Sequence, residues 1–306
     1  MYKILNKQIL ASDIKRLNIL APEIALKAQP GQYVIVTPQS SGERIPLTVI
    51  ESDALKGTID LIFHEVGRTT KQLGNLPIND SIYSILGPLG IPATIGKVGV
   101  VVCVATGIGA AQILPMARAF KKGGNKVIGI VGAKTKRSLM LEPQMRLACN
   151  KILVTTNDGS YARRGLATEM LKEILIQEKV NLVNAAGSVE MMENICKITQ
   201  PKGIKTFVYL TPVMVDGIGQ CGSCRVRVGG QIRLACVDGP EFDGHQVDYQ
   251  DLKVRMDAFE DIEKLTEQLK PAQHKRGSNF FVSTISSPCS LKKAALSVDI
   301  YVLYHC

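Results

Sequence analysis

Three cysteines with the spacing of metal ligands lie in a glycine-rich segment that reads "DGIGQCGSCRVRVGGQIRLAC" and begins at residue 216. A C-x2-C pair places two thiolates in one tight loop, and a later cysteine can close a metal centre. With Asp216 included, the pattern is D-x4-C-x2-C-x11-C. It matches the plant-type [2Fe–2S] spacing, C-x4-C-x2-C…C, with one ligand exchanged. The candidate metal ligands are therefore Asp216, Cys221, Cys224 and Cys236.

Two other interpretations of the cysteines stay open at this point. One is a tetrahedral zinc site, although such sites more often have two C-x2-C pairs or added histidines, and His245 lies outside the pattern. The other is a set of unligated thiols. Asp216 has its own alternative, in which it only caps the loop with a backbone hydrogen bond. Glycines at 217, 219 and 222 suit a loop that must turn sharply.

A glycine turn, "VCVATGIGAAQ", is the second feature that could do chemistry. Gly107 and Gly109 follow an apolar run and precede a helical pattern, so backbone N–H groups at the helix start could bind a pyrophosphate. A dinucleotide fold often has an acidic residue after its second strand, which binds the ribose of NAD. Here that place has Lys134, Lys136 and Arg137, which favours the phosphate of NADP.

The pattern of predicted strands and helices that must position these residues changes near residue 98. Before it, short Ile-, Val- and Leu-rich runs separated by turn residues predict a small antiparallel β-barrel. After it, strand and helix patterns alternate and predict a parallel sheet covered by helices, so the fold class is β + α/β. The predicted divisions are a barrel (1–96), an α/β domain (97–211), a cluster loop (212–248), a helix (249–270) and a poorly ordered tail (271–306).

Composition and charge exclude several functional classes. The chain has 306 residues and a formal net charge of +10, which suits anionic ligands or an acidic protein partner. No apolar run reaches the roughly 18 residues of a membrane span, and the first residues have no apolar signal region. We therefore expect a cytoplasmic protein that does not bind membranes. The sequence also lacks a nucleic-acid-binding motif.

The order of barrel, nucleotide domain and terminal cysteine loop resembles the ferredoxin reductase-like family. More narrowly, residues 1–265 are similar to the electron-transfer subunit of class B dihydroorotate dehydrogenase. They are also similar to the small subunit of NADH-dependent reduced ferredoxin:NADP⁺ oxidoreductase, or sulfide dehydrogenase. The first of these has a cysteine where this chain has Asp216. The second has an aspartate there as a [2Fe–2S] ligand, so the resemblance implies that Asp216 is itself a ligand.

The resemblance also implies an FAD in the barrel and a nicotinamide dinucleotide in the α/β domain. The motif "RIPLT" and the segment "FHEVGRTT" match the family's flavin-binding stretches, with Arg44 one residue further away than usual and threonine replacing a glycine. Where many relatives have Cys-Gly-Pro near the nicotinamide, this chain has Ala186-Gly187-Ser188, so no catalytic thiol is expected. The candidate cofactor-binding residues are Arg44, Pro46, Leu47, Thr48, Phe63, His64, Glu65, Gly67, Thr69, Thr70, Gly107, Gly109, Ala110, Gly132, Asp158 and Gly187.

The function that the resemblance implies is electron transfer between NAD(H), FAD, a [2Fe–2S] cluster and a partner. The implied partner is a larger flavoprotein subunit with further iron–sulfur clusters, in a hetero-oligomer, and a ferredoxin is a second candidate. The resemblance favours NADH, whereas the basic loop favours NADPH. Two alternatives remain: an accessory subunit of dihydroorotate dehydrogenase in pyrimidine synthesis, and a zinc-stabilised nucleotide-binding module without redox activity.

Overall fold

The first unit of the chain is a nearly closed antiparallel β-barrel. The computed structural model describes residues 1–11, 13–40 and 42–268. The barrel elements are β1 (Tyr2–Ala11), β2 (Ile14–Leu20), α1 (Pro22–Lys27), β3 (Tyr33–Thr37), β4 (Ile45–Asp53), β5 (Thr58–His64), α2 (Arg68–Asn75), β6 (Ser81–Ile82) and β7 (Ser84–Leu89). The strands pair in the order β6-β1-β2-β5-β4-β3-β7. A single residue, Tyr83, separates the two edge strands, so the chain itself links the two edges of the sheet.

The barrel closes around an apolar interior. Alternate residues of the strands point inward, as the period of two requires, and Ile4, Leu17, Ile59 and Phe63 are completely buried there. The predicted antiparallel barrel is therefore confirmed.

The second unit is a mostly parallel sheet with helices on both faces. Its elements are β8 (Val100–Thr106), α3 (Gly109–Lys122), β9 (Lys126–Ala133), α4 (Glu142–Ala148), β10 (Lys151–Thr156), β11 (Arg163–Arg164), α5 (Ala167–Gln177), β12 (Leu182–Ala186), α6 (Val189–Thr199) and β13 (Lys205–Tyr209). Val102 and Val104 of β8 pack in one core, while Val101 and Cys103 pack in the other. This two-sided burial explains the unbroken apolar run of β8.

The order of the strands creates a switch point in this sheet. From β8 the chain moves outward to β9 and β10, and then returns to place β12 on the other side of β8. Crevices at the carboxyl ends of such strands are where open α/β sheets bind ligands. The turns after β8 and β12 therefore mark the expected nucleotide site.

The cysteine segment forms a small lobe that is inserted into the second unit. It contains the hairpin of β14 (Arg225–Val228) and β15 (Gln231–Leu234). The chain then returns as β16 (Glu241–Asp243), which pairs antiparallel with β13 at the edge of the large sheet. The last described element is α7 (Tyr249–Gln268). Part of the segment 212–248 thus belongs to the α/β sheet rather than to a separate lobe.

Within the part of the chain that the structure describes, no helix has the length and apolar character needed to cross a membrane. The predicted tail, residues 271–306, lies outside the described residues.

Candidate functional site

A cleft lies at the place where the barrel, the helix α3 and the cysteine lobe meet. Neighbouring strands β3 and β4 bring Tyr33 and Thr48 opposite each other in the barrel wall. From the far side, α3 contributes Gln112 and Met116. The full lining is Gly31, Tyr33, Pro46, Thr48, Gln112, Met116, Tyr209, Thr211, Met214 and Pro240. The structure thus places Pro46 and Thr48, two of the predicted flavin-binding residues, in a cleft between the barrel, α3 and the cysteine lobe.

The start of α2 is suited to hold the phosphates of a flavin dinucleotide. Gly67 caps the helix, and the hydroxyl of Thr70 both accepts from the Gly67 N–H and donates to its carbonyl oxygen, each at 3.0 Å. The guanidinium of Arg68 lies 3.0 Å from the Glu43 carboxylate, and the Thr69 hydroxyl lies 3.3 Å from it. This helix start therefore already accommodates a negative group, as a helix N-terminus favours.

The other flavin candidates differ in what their side chains reach. Leu47 and Phe63 are buried in the barrel core, so only their backbone can face a cofactor. His64 is paired with Asp13, and the Glu65 carboxylate lies 2.7 Å from the ammonium group of Lys15. Arg44 is exposed. The motifs thus place these residues on β4 and β5 or directly beside them, whereas the direction of each side chain is seen only in the fold.

The glycine turns after β8 and β12 meet closely at the switch point. A Cβ atom on Gly109 would lie 2.3 Å from the carbonyl oxygen of Ala186, and one on Gly187 would lie 2.1 Å from the Thr106 hydroxyl. Both positions therefore require glycine, because neither contact tolerates a side chain. Gly107 adopts a φ of +54°, which glycine supplies at no steric cost. The start of α3, including buried Ala110, is thus held against β12 at the switch point, where a helix N-terminus can bind a pyrophosphate.

The remaining nucleotide candidates lie along β9 and β10. Gly132 packs under α5, where a Cβ atom would be 3.1 Å from that of Ala167. Asp158 follows β10 and accepts hydrogen bonds from the backbone and the hydroxyl of Ser160, which together hold the pKa of its carboxyl below the ordinary value. Its carboxylate is therefore committed to its own turn.

The basic loop after β9 lies beside the same turn. The Lys136 N–H donates to the Ser160 hydroxyl at 2.8 Å, and the Lys136 ammonium group lies 5.3 Å from the centre of the Tyr161 ring. Lys134, Lys136 and Arg137 are all exposed. Among the described residues, none of these three forms a salt bridge. The loop is therefore a positively charged rim on the nucleotide side of the sheet.

The cysteine lobe brings two of the predicted metal ligands into contact. The Sγ atoms of Cys224 and Cys236 lie 3.2 Å apart in a buried position. Cys221 is exposed, and its thiol lies 3.1 Å from the Ser223 hydroxyl. Asp216 accepts hydrogen bonds from the backbone N–H groups of residues 218, 220 and 221. Within residues 1–11, 13–40 and 42–268, no three His, Cys, Asp or Glu side chains already converge as a metal site.

The surroundings in the lobe shift the pKa of the Asp216 carboxyl and that of the Cys236 thiol in opposite directions. Partial burial opposes ionisation of Asp216, but the three backbone amides outweigh it and lower the pKa of the carboxyl. Burial and the adjacent Cys224 raise the pKa of the Cys236 thiol to about 12. Thiols must lose their protons to bind a metal, so loading this site releases protons. The donor set of soft sulfur atoms on a glycine-rich loop fits iron–sulfur chemistry.

Tyr33, which joins these regions, was not among the residues predicted from the sequence. The hydroxyl of Tyr33 lies 3.2 Å from the carbonyl oxygen of Gly217 and 3.0 Å from that of Cys236. No local pattern signals this contact, because the partners are 184 and 203 residues away along the chain. Gln112, Met116 and Met214 were missed for the same reason.

Comparison with known families agrees with the two cofactor sites. Residues 2–92 match the oxidoreductase FAD-binding domain, and residues 211–248 match the iron–sulfur cluster binding domain of dihydroorotate dehydrogenase B. The predictions of FAD and of an iron–sulfur cluster are therefore confirmed, and the zinc interpretation is not supported.

Similar proteins cover nearly the same length. A protein of Clostridium beijerinckii, described as an uncharacterized protein in adh 3'region, is 39% identical over 88% of this chain and 94% of its own. The dihydroorotate dehydrogenase B (NAD(+)) electron transfer subunit homolog of Thermotoga maritima is 36% identical over 86% of this chain and 93% of its own.

A solved structure shows the same arrangement of units. One chain of the NADH-dependent reduced ferredoxin-NADP oxidoreductase, studied for flavin-based electron bifurcation, has a TM-score of 0.82 and 35% identity. The match covers 88% of this chain and 97% of that chain. Together with the two cofactor domains, these matches show that this chain belongs to the ferredoxin reductase-like family of FAD and iron–sulfur electron-transfer subunits related to dihydroorotate dehydrogenase B.

Proposed function

We propose that this chain transfers electrons between a nicotinamide dinucleotide and a larger partner subunit, by way of FAD and a [2Fe–2S] cluster. The observation that carries the proposal is the cleft where the barrel, the helix α3 and the cysteine lobe meet. It brings Thr48 of the barrel, Gln112 of α3 and Met214 of the cysteine lobe around one space. A flavin bound there adjoins both the nucleotide domain and the lobe.

The residues of this chain have separate tasks in the proposal. The start of α2 holds the flavin phosphates through Gly67, Thr69 and Thr70, and the turn at Gly107 and Gly109 holds the dinucleotide. An FAD held at these residues would supply the chemistry that links hydride transfer from the dinucleotide to the transfer of single electrons. The proposed cluster ligands are Asp216, Cys221, Cys224 and Cys236. Electron transfer of this kind needs no side chain that acts as an acid, base or nucleophile.

Anaerobic titration of the purified full chain tests this proposal. We expect one FAD and two irons per chain, and NADH should bleach the flavin absorbance and then the cluster absorbance. NADH should act better than NADPH, as the resemblance implies. A colourless protein that contains zinc would refute the proposal, while a clear preference for NADPH would refute only the choice of dinucleotide.

The partner distinguishes the proposed enzyme types. The solved structure at 35% identity favours a ferredoxin–NADP oxidoreductase complex. The Thermotoga maritima relative, named for dihydroorotate dehydrogenase B, favours the alternative in pyrimidine synthesis. Affinity purification of the tagged chain from its own cells should recover a larger flavoprotein with further iron–sulfur clusters. Recovery of a dihydroorotate-oxidising subunit would establish the alternative instead.

A further inference from the structure

The contact of Tyr33 with the cysteine lobe is made by a side chain that also forms a wall of the flavin cleft. Tyr33 lies on β3 directly opposite Thr48, and only 4% of its surface is exposed. Its ring lines the cleft together with Pro46 and Thr48. One side chain therefore spans from the proposed flavin site to the lobe.

The hydroxyl of Tyr33 reaches two parts of the lobe that are distant in sequence. It lies 3.2 Å from the carbonyl oxygen of Gly217, next to Asp216, and 3.0 Å from that of Cys236. A phenol has one proton to donate, so the two carbonyls share it. The hydroxyl thus ties the first and the last proposed ligand positions to the barrel.

Packing around this hydrogen bond holds the lobe at the same place. Gly217 has a φ of +72°, and a Cβ atom on it would lie 2.5 Å from the Ile35 side chain of β3. Tyr33 and Ile35 share one apolar core with Cys224 and Cys236. A Cβ atom on Gly90 would lie 3.1 Å from Tyr33 Cε1. The ring therefore has little room to move, and neither does the loop that it holds.

We propose that Tyr33 is a positioning residue that fixes the cluster loop against the flavin cleft, and so sets how well electrons pass between the two sites. The inference rests on the proposed function. It assigns to Tyr33 no proton transfer and no change of oxidation state. Its ring shapes the cleft, and its hydroxyl orients the backbone at Gly217 and Cys236.

The test compares three full-length variants with the wild type. Tyr33→Phe removes only the hydroxyl, and Tyr33→Leu also removes the ring. Tyr249→Phe is the matched control, because Tyr249 is also buried and its hydroxyl has a partner away from the cleft, the Cys196 thiol at 3.1 Å. Flavin and iron content, the electron paramagnetic resonance signal of the reduced cluster and hydrogen exchange of residues 215–222 are measured for each.

We expect Tyr33→Phe to keep its flavin and iron but to alter the resonance signal and raise hydrogen exchange in the loop. After the flavin is reduced, cluster reduction should slow by about three- to tenfold, the scale of one lost hydrogen bond. Tyr33→Leu should also lose flavin, and Tyr249→Phe should match the wild type in every readout.

A Tyr33→Phe protein with wild-type signal, exchange and cluster reduction would overturn the inference. Hydrogen exchange decides the question even for protein that lacks cofactors, since unchanged exchange in residues 215–222 would also overturn it. A wild-type chain without flavin or iron would instead refute the proposed function, so the two failures are distinguishable.

Discussion

Asp216 has enough acceptor capacity to bind both backbone amides and iron. An ionised carboxylate offers about four acceptor positions on its two oxygens. In the structure, Oδ2 accepts from the amides of Gln220 and Cys221, and Oδ1 accepts from that of Ile218. The Cys221 side chain is a further hydrogen-bond donor to this carboxylate, and it stops donating when the thiol loses its proton to bind a metal. Capping of the loop and ligation of iron are compatible for this residue.

Substitution of Asp216 separates these two roles. Asp216→Cys should keep a cluster with a shifted potential and resonance signal, because a thiolate is a softer ligand than a carboxylate. Asp216→Ala should make the cluster labile. Asp216→Asn is the matched control, since it keeps one capping oxygen but loses the charge. Iron content and the electron paramagnetic resonance signal are measured for all three variants. If Asp216→Ala keeps an unaltered signal, the fourth ligand must be sought among Asp238, His245 or a partner chain.

A single motif predicts the region of the fold in which a residue lies better than it predicts the contacts of that residue's side chain. The cysteine spacing predicted a cluster site, and the iron–sulfur domain match confirms it. By contrast, Leu47 and Phe63 fall in flavin-binding motifs, yet their side chains are part of the barrel core. Successive side chains of a strand point to opposite faces of the barrel wall. Which set points inward depends on the pairing with other strands, and a single motif does not contain that information.

The loop at the carboxyl end of β9 places positive charge beside the expected nucleotide site. Lys134 and Arg137 follow β9, the strand next to the glycine turn, which is where the adenosine ribose lies in dinucleotide folds. Both side chains are exposed, so their replacement should leave stability almost unchanged.

Reversing the charge of this loop should therefore affect NADPH more than NADH. In the double variant Lys134→Glu with Arg137→Glu, we expect the KM for NADPH to rise about tenfold, because charged hydrogen bonds to the 2′-phosphate are lost. The KM for NADH should change little. Lys202→Glu is the control, since Lys202 is equally exposed but precedes β13 at the opposite end of the sheet. Equal effects on both dinucleotides would show that the loop does not face the ribose.

The β14–β15 hairpin and α7 place two positive charges beside the cluster loop. Arg225 Nη1 lies 3.5 Å from the carbonyl oxygen of Gly222, and Arg255 Nη2 donates to that of Ser223 at 3.2 Å. Both carbonyls lie between Cys221 and Cys224. Burial and then the nearby Arg225 lower the pKa of Arg255, so the two guanidinium groups are close enough to repel each other.

Removing one of these charges should lower the reduction potential of the cluster. A nearby positive charge favours the added electron, so Arg225→Gln should shift the potential downward by on the order of tens of millivolts. Arg227→Gln is the matched control, because Arg227 lies two residues further along β14 and on the same side of the strand. Potentiometric titration with both variants measures the shift. An unchanged or raised potential in Arg225→Gln would contradict this account.

In the molecule as a whole, the sequence predicted the units better than the contacts between them. The change of pattern near residue 98 predicted the barrel and the parallel sheet, because strand and helix periods are local. The pairing of β16 with β13 and the contact of Tyr33 with the lobe were not predictable in this way. They depend on residues that only the folded chain brings together.

The role of α7 in holding the lobe leads to a prediction about chain length. Leu252 and Met256 are buried in the core that includes Cys224 and Cys236. Arg255 donates to the Ser223 and Arg225 carbonyls, and the Lys253 ammonium group contacts the Glu193 carboxylate at 2.5 Å. Burial of two such apolar side chains contributes about 1.5–3 kcal/mol each. The helix therefore stabilises the lobe.

Two truncations test this role. A chain that ends at Lys270 keeps α7, and we expect it to retain FAD and iron in the ratio of the full chain. A chain that ends at Asp248 should keep its FAD but lose iron, because the barrel and the start of α2 are untouched while the lobe loses its support. Flavin absorbance and iron analysis measure both. Loss of iron from the longer truncation would mean that residues 271–306 also support the lobe, whereas full iron in the shorter one would mean that Tyr33 and the barrel hold the lobe without α7.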